Sequence, residues 1–443
     1  MKNNKGITLV ALVVTIVVLL ILAAVSINLV LGNNGIVKKA QEAKTKSAEA
    51  SQNDLKGMNG LVSEMEGALA GNGGAGGSGT GTKVPAEATA ETAPYFPDDT
   101  FTKKEGTIDT GLVIKDANEN EYVWVVVPKS LYNNAAYNSN SAKKPSSSTD
   151  YANIEYCLQK YTATYRNGTS NSDTYAADTD NVGWFADKTA YNNLKNSMLK
   201  SVYENGGFYV GRYEAGIETT GTNRTSNTDK NSEGKYITPS TAPVSKADAY
   251  PYTYVTRTQA QNLANNVNSG SRTSSLMFGV QWDLMLAFMS KDITKITTTD
   301  VLTKDSTTIG NYQNSTFDLN RGKYAAPYNP ILHEWYNFDR ALSSIVVSNE
   351  ATGKMQKTEQ STDENSILLT TGGTEQSKVM NIYDVAGNVY EWTLEETSTF
   401  NPPCAHRGGS YYCIGSIGRA ANRSYSCPTD RSGNDIGFRV SLF

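Results

Sequence analysis

The last sixty or so residues constrain this chain most, because they combine closely spaced glycines, arginines and aromatics that leave few folds open. Asn381-Ile-Tyr-Asp-Val-Ala-Gly-Asn-Val-Tyr-Glu-Trp392 is followed by Arg407-Gly-Gly-Ser410, then Arg419-Ala-Ala-Asn-Arg423, then Ile436-Gly-Phe-Arg-Val-Ser-Leu-Phe443. Gly387, Gly408, Gly409 and Gly437 permit tight turns or close backbone approach. Val389, Trp392, Phe438, Val440 and Leu442 are apolar anchors. The terminal segment alternates, which predicts a strand with Phe438, Val440 and Leu442 on one face and Arg439 and Ser441 on the other.

The order Asp-x-x-Gly-Asn-Val-x-Glu-Trp, Arg-Gly-Gly-Ser, Gly-Phe-Arg resembles the formylglycine-generating enzyme (sulfatase-modifying factor) family. That resemblance implies a C-type-lectin-like fold. It covers 111–443 in patches. Gly206-Gly-Phe-Tyr-Val-Gly-Arg-Tyr-Glu-Ala-Gly216 is similar to a family strand. Phe278 to Met289 occupies the slot of a family helix, with Trp282 and Asp283 matching and Gln281 departing.

Upstream, Ile7 to Leu31 is almost wholly apolar, interrupted by Thr8, Thr15, Ser26 and Asn28. A helix of about 20 such residues spans a bilayer, and Lys2 and Lys5 keep the preceding end cytoplasmic. The segment resembles a type IV prepilin leader, which implies cleavage after Gly6 so that Ile7 becomes the new terminus. Ala11 stands where filament-forming pilins carry glutamate, which favours a tip or minor pilin, or a plain anchored protein, over a major subunit. The amphipathic run to Leu69 continues the helix. Gly71 to Lys83 is a Gly/Ser-type linker.

The expected organisation is therefore α+β: a leader at 1–6, a long hydrophobic helix at 7–70, a linker at 71–100, and a C-type-lectin-like head with polar insertions at 101–443. Within the head, residues 111–128 read as a β-hairpin turning at Asp116 to Asn120, and Thr256 to Asn265 as a helix. Residues 130–180 read as loops and short helices, and 291–376 as a second polar insertion.

Across 443 residues the formal net charge is −4, and Tyr occurs 26 times. This excludes a general nucleic-acid binder and suits exposed recognition loops. The two histidines, His333 and His406, lie in no metal-spaced motif and read as satisfied surface or loop imidazoles. Four cysteines, Cys157, Cys404, Cys413 and Cys427, allow three pairings of four.

The family enzyme holds copper between two thiolates, ligands that select Cu(I). Cys413 matches the first, but the second falls on Gly418, and Cys427 is too far along. The resemblance thus argues against copper and against oxidase activity. The family's calcium ligands carry over to Asp384, the Gly387 and Val389 carbonyls, and Glu391, an oxygen set that suits Ca²⁺. The alternative is that the two carboxylates pin the loop by hydrogen bonds.

Between the anchors, residues 411–435 contain no Lys, Glu, Gln, Met or Trp. The spacer residues are Tyr, Cys, Ile, Ser, Gly, Thr, Asp and Asn, all reachable from an AAC codon by changing adenines alone. This resembles the variable region of target proteins of diversity-generating retroelements, and it makes Cys413 and Cys427 products of mutation. The expected ligand contacts are Tyr411, Tyr412, Cys413, Ile414, Ser416, Ile417, Ser424, Tyr425, Ser426, Cys427, Thr429, Asp430, Ser432, Asn434 and Asp435. Trp392, Arg407, Gly409, Arg419, Arg423, Phe438 and Arg439 would support them.

The chain thus reads as a surface-displayed, pilin-like binding protein, not an enzyme. Its head would lie outside the cell, anchored in the membrane or at a pilus tip. Its partners would be an extracellular protein or glycan, other pilins and prepilin peptidase. A membrane-tethered formylglycine-type enzyme and a minor pilin with a purely structural head are the alternatives.

Overall fold

The computed structural model describes residues 96–137, 145–166, 175, 185–319, 321–325, 334–338, 345–349, 354–359, 366–396 and 404–443. The expected leader with Gly6 and Ile7, the apolar helix at 7–70 and nearly all of the linker lie outside these residues, as does His333. Among the described residues, no helix is long and apolar enough to cross a membrane.

Two larger sheets carry the head. Their strands are β1 (Thr102–Glu105), β2 (Val113–Lys115), β3 (Glu121–Val126), β4 (Gly207–Gly211), β5 (Ser274–Leu276), β6 (Tyr390–Glu396), β7 (Cys404–Arg407), β8 (Arg423–Cys427), β9 (Ile436–Phe438) and β10 (Val440–Leu442). The first sheet has the order β1-β2-β3-β4-β10-β5 and the second β8-β7-β6-β9. As expected, β2 and β3 form a hairpin, with Val113 opposite Val123. Asp116 closes its turn by accepting from the Asn118 and Asn120 amides.

The terminal segment differs from the single alternating strand expected. It breaks at Arg439: β9 runs parallel to β6, while β10 enters the middle of the first sheet between β4 and β5. Being central satisfies both edges of β10, and other parts of the head cover both faces of the segment. Arg439 and Ser441 are accordingly as buried as Phe438 and Leu442.

Helices pack against this frame. Instead of only short pieces, the first insertion holds α1 (Ser148–Tyr161), started by a reciprocal capping box between Ser147 and Asp150. Next comes α2 (Lys188–Asn205), which sequence reading did not anticipate. It ends at Gly206 in the left-handed conformation. The expected helix after Pro243 is α3 (Arg257–Ala264), capped by Thr256 and Gln259. Finally α4 (Gly279–Met289) is apolar on every side and buried along its whole length, as a helix without a polar face must be. It brings Trp282 and Asp283 into the core.

Candidate functional site

The stretch 408–435 lies over a buried charged frame. Asp283 on α4 and Glu395 on β6 face three arginines. Arg407 donates Nη2 to Asp283 at 2.5 Å and Nη1 to Glu395 at 2.9 Å. Arg423 donates Nε to Glu395 at 2.7 Å and reaches Asp283 at 3.3 Å. Arg166 donates to Asp283 at 3.2 Å, and its carbonyl accepts from Arg423 Nη1 at 2.7 Å. Burial alone would push the Glu395 carboxyl up. Arg423 and Arg407 more than offset this and hold it down to about 2. Glu395 also abuts Gly279, the first residue of α4, where a Cβ would come within 2.0 Å of Oε1. Only glycine admits the carboxylate there, against the positive end of the helix dipole.

A second buried group closes the other side. Arg439 donates to Glu391 at 2.6 Å, and to the carbonyls of Gly211 at 2.9 Å and Tyr383 at 2.8 Å. Nearby Glu214 accepts from Asn388 Nδ2 at 2.7 Å and the Val389 amide at 3.2 Å. Burial, with the neighbouring Asp384 and Glu391, holds Glu214 well above the usual carboxylate range.

The expected calcium ligands are used differently. Asp384 accepts from the Gly372 amide at 2.6 Å and the Ser377 hydroxyl at 2.7 Å. Glu391 spends both oxygens on Arg439. In this arrangement both carboxylates pin the loop by hydrogen bonds. Among the described residues, no three His, Cys, Asp or Glu side chains are grouped as a metal ion needs.

The loop's backbone is built from beneath. Gly408 and Gly409 both have positive φ, and a Cβ on Gly409 would meet the Gly418 carbonyl at 2.0 Å. That explains the glycine pair. Tyr312 donates its hydroxyl to the Gly418 carbonyl at 2.6 Å. The Gln313 amide bonds the Cys413 carbonyl at 2.9 Å, and the Ser306 amide bonds that of Gly415 at 3.1 Å. Ser306 Oγ and Asn314 Oδ1 accept from the amides of Ala420 and Gly415, and Trp282 Nε1 donates to the Ala420 carbonyl. This cradle at 306–314 was missed at the sequence level, where it was simply part of a polar insertion. Its hydrogen bonds carry no local sequence signal.

Among the expected contacts, Ser416, Ile417 and Asp430 are exposed, Ile417 at 63%. Tyr412, Cys413, Ile414, Ser424, Ser432 and Asn434 are half-buried. Four expectations need correction: Tyr411, Cys427, Thr429 and Asp435 are buried. Tyr411 packs with Leu368, Val389 and Trp335 and accepts from Asn434 at 2.8 Å. Asp435 accepts from Tyr412 at 2.6 Å. Both are pillars rather than contacts. The side chains of Tyr425 and Ser426 lie outside the described ones.

The expected supports divide similarly. Trp392, Arg407, Arg423, Phe438 and Arg439 are buried, whereas Arg419 is half-buried and donates to the Ser416 carbonyl. His406 is also corrected. It is buried on β7 with its ring 4.1 Å from that of Tyr390, and burial, with Arg431 nearby, pushes its pKa down to about 3. The position matching the family's second cysteine is close to the first: a Cβ on Gly418 would stand 3.0 Å from that of Cys413.

Residues 336–442 match the model of the sulfatase-modifying factor enzyme 1-like domain. Among solved structures, the chain shows similarity to one titled "Crystal Structure of CarF". Identity is 15%, 53% of this chain and 85% of that one are covered, and the TM-score is 0.26. It also shows similarity to Treponema denticola variable protein 1, at 10% identity, with 77% and 98% covered and a TM-score of 0.20. No curated protein matches.

Proposed function

We propose that the head is a ligand-binding display surface, with the outward side chains of 412–434 as its contact face. One observation carries this: the division of labour within the loop. Its backbone is held by the 306–314 cradle, Trp282 and the buried arginines, while Ser416, Ile417 and Asp430 project into solvent. A loop fixed in this way tolerates changes in its outward residues. Tyr and Ser on such a loop supply contact area and adaptable hydrogen bonds at low entropic cost.

The finer reading is a surface-anchored, pilin-like protein whose face is diversified by a retroelement and binds an extracellular protein or glycan. Its apolar N-terminal segment would hold it in the membrane, with other pilins and prepilin peptidase as assembly partners. With a single thiol at the family's paired position, oxidase activity and copper are not part of this reading.

The test is to sequence this gene's 3′ end in many sister isolates. Variation confined to codons of outward residues, beside a near-copy differing at adenines, is the expected result. An invariant face without any such copy would overturn the diversification reading.

A further inference from the structure

Strands β7 and β8 pair antiparallel so that Cys404 stands directly opposite Cys427. Opposed residues of an antiparallel pair have Cα atoms about 4.5–5.5 Å apart, with side chains on one face. A disulfide needs roughly 4.4–6.8 Å. Both residues are buried, at 0% and 8% exposure.

The other two cysteines lie off this strand pair. Cys157 lies on α1 and donates its thiol to the Leu131 carbonyl. Cys413 sits in the loop, with its sulfur 3.1 Å from the Tyr390 hydroxyl. Of the pairings that four cysteines allow, the sheet register aligns this one.

We propose that Cys404 and Cys427 form a cross-strand disulfide that closes the base of the loop carrying the outward face. The oxidant is a small-molecule or protein disulfide acting by exchange. One cysteine thiolate attacks it, forming a mixed disulfide and releasing one thiolate. The second cysteine thiolate then displaces the other. Two cysteine thiols lose two protons and two electrons, and the oxidant leaves as two thiols. Burial pushes the Cys427 thiol up to about 11, so exchange at this sulfur is slow once the strands are packed. The Arg407–Arg423 pair lies on the same ladder, nearer the loop. The bond would therefore fix the strand ends independently of the charged frame, whatever the face binds.

The test uses the full chain, folded with oxidised glutathione, then unfolded in urea with an alkylating agent and without reductant. Peptide mass spectrometry should find residues 404 and 427 linked and two hydrogens lighter, with Cys157 and Cys413 alkylated. Alkylation of all four cysteines, or a link through Cys413, would overturn the proposal. In a second readout, reductant should lower the Tm by about 5 °C or more, equally in wild type and Cys413→Ser. The Cys404→Val/Cys427→Val pair should lose that response; a reductant shift retained by this double variant would count against the bond.

Discussion

Arg423 meets Glu395 at 2.7 Å with neither side chain reached by solvent. It joins the strand that follows the loop to the strand that precedes β7. Glu395 and Asp283 together offset three arginines, so removing either acid leaves buried positive charge. Glu395→Gln should destabilise the head by about 3–5 kcal/mol at neutral pH, read from urea unfolding. The pH dependence has a definite sign. A carboxyl held down to about 2, against 4.5 when unfolded, contributes stability present above about pH 4.5 and lost as pH falls through about 2. The gap between wild type and variant should narrow over that window. A gap constant with pH would mean that the carboxylate charge is not what stabilises.

Lys357 predicts the opposite kind of slope. Its ammonium is buried among the carbonyls of Tyr312 at 2.6 Å, Ser315 at 2.8 Å and Gln313 at 3.3 Å, directly under the loop's cradle. Burial pushes its pKa down to about 7, partly countered by Glu359. The folded chain therefore binds fewer protons than the unfolded one between about pH 7 and 10.5, and this group's contribution to stability rises with pH across that range. Below pH 9.5, before the tyrosines titrate, wild type should gain on the order of 3 kcal/mol relative to Lys357→Met. Parallel pH profiles for the two proteins would refute this.

The face and its pillars should separate on mutation. Ile417→Ser alters a side chain open to solvent and should change stability by less than about 0.5 kcal/mol, while altering recognition of whatever the face binds. Tyr411→Ala empties a packed position and strands Asn434, at a cost of about 3–5 kcal/mol by analogy with other buried aromatics. Thermal melts of the two variants provide the comparison.

Chelation gives a further check. Since Gly372, Ser377 and Arg439 already take up the Asp384 and Glu391 oxygens, EDTA should leave the Tm of the purified chain unchanged. A drop reversed by added calcium would show that this network rearranges around a cation.

The parts legible in the sequence were those specified locally. The 111–128 hairpin announced itself through β-branched runs around a polar turn, and Thr256 to Asn265 read as a helix, which a Thr256–Gln259 capping box starts. Arg407-Gly-Gly-Ser was readable because two positive-φ residues in succession call for glycine. In α2, Tyr191, Leu194, Met198, Leu199 and Val202 do form a helical stripe, but it is masked by intervening Asn, Ser and Lys. Arg439 was misjudged because alternation assumes one sheet and one solvent face, and the chain changes sheets at that residue. The cradle at 306–314 left no trace, because backbone groups supply much of its contact with the loop. Of the expected contacts, Ser416 and Ile417 face solvent, whereas Tyr411 and Asp435 are buried. Side-chain type alone does not separate a tyrosine that displays from one that props.

The placement of β10 bears on how the head is made. Its three residues, Val440 to Leu442, fill a central lane between β4 and β5, so that lane stays vacant on the ribosome until nearly every described residue has been translated. Nascent chains stalled or truncated before Arg439 would present two unsatisfied strand edges at once, a template for aggregation. Only chains that carry β10 can join β4 to β5 and close the main sheet.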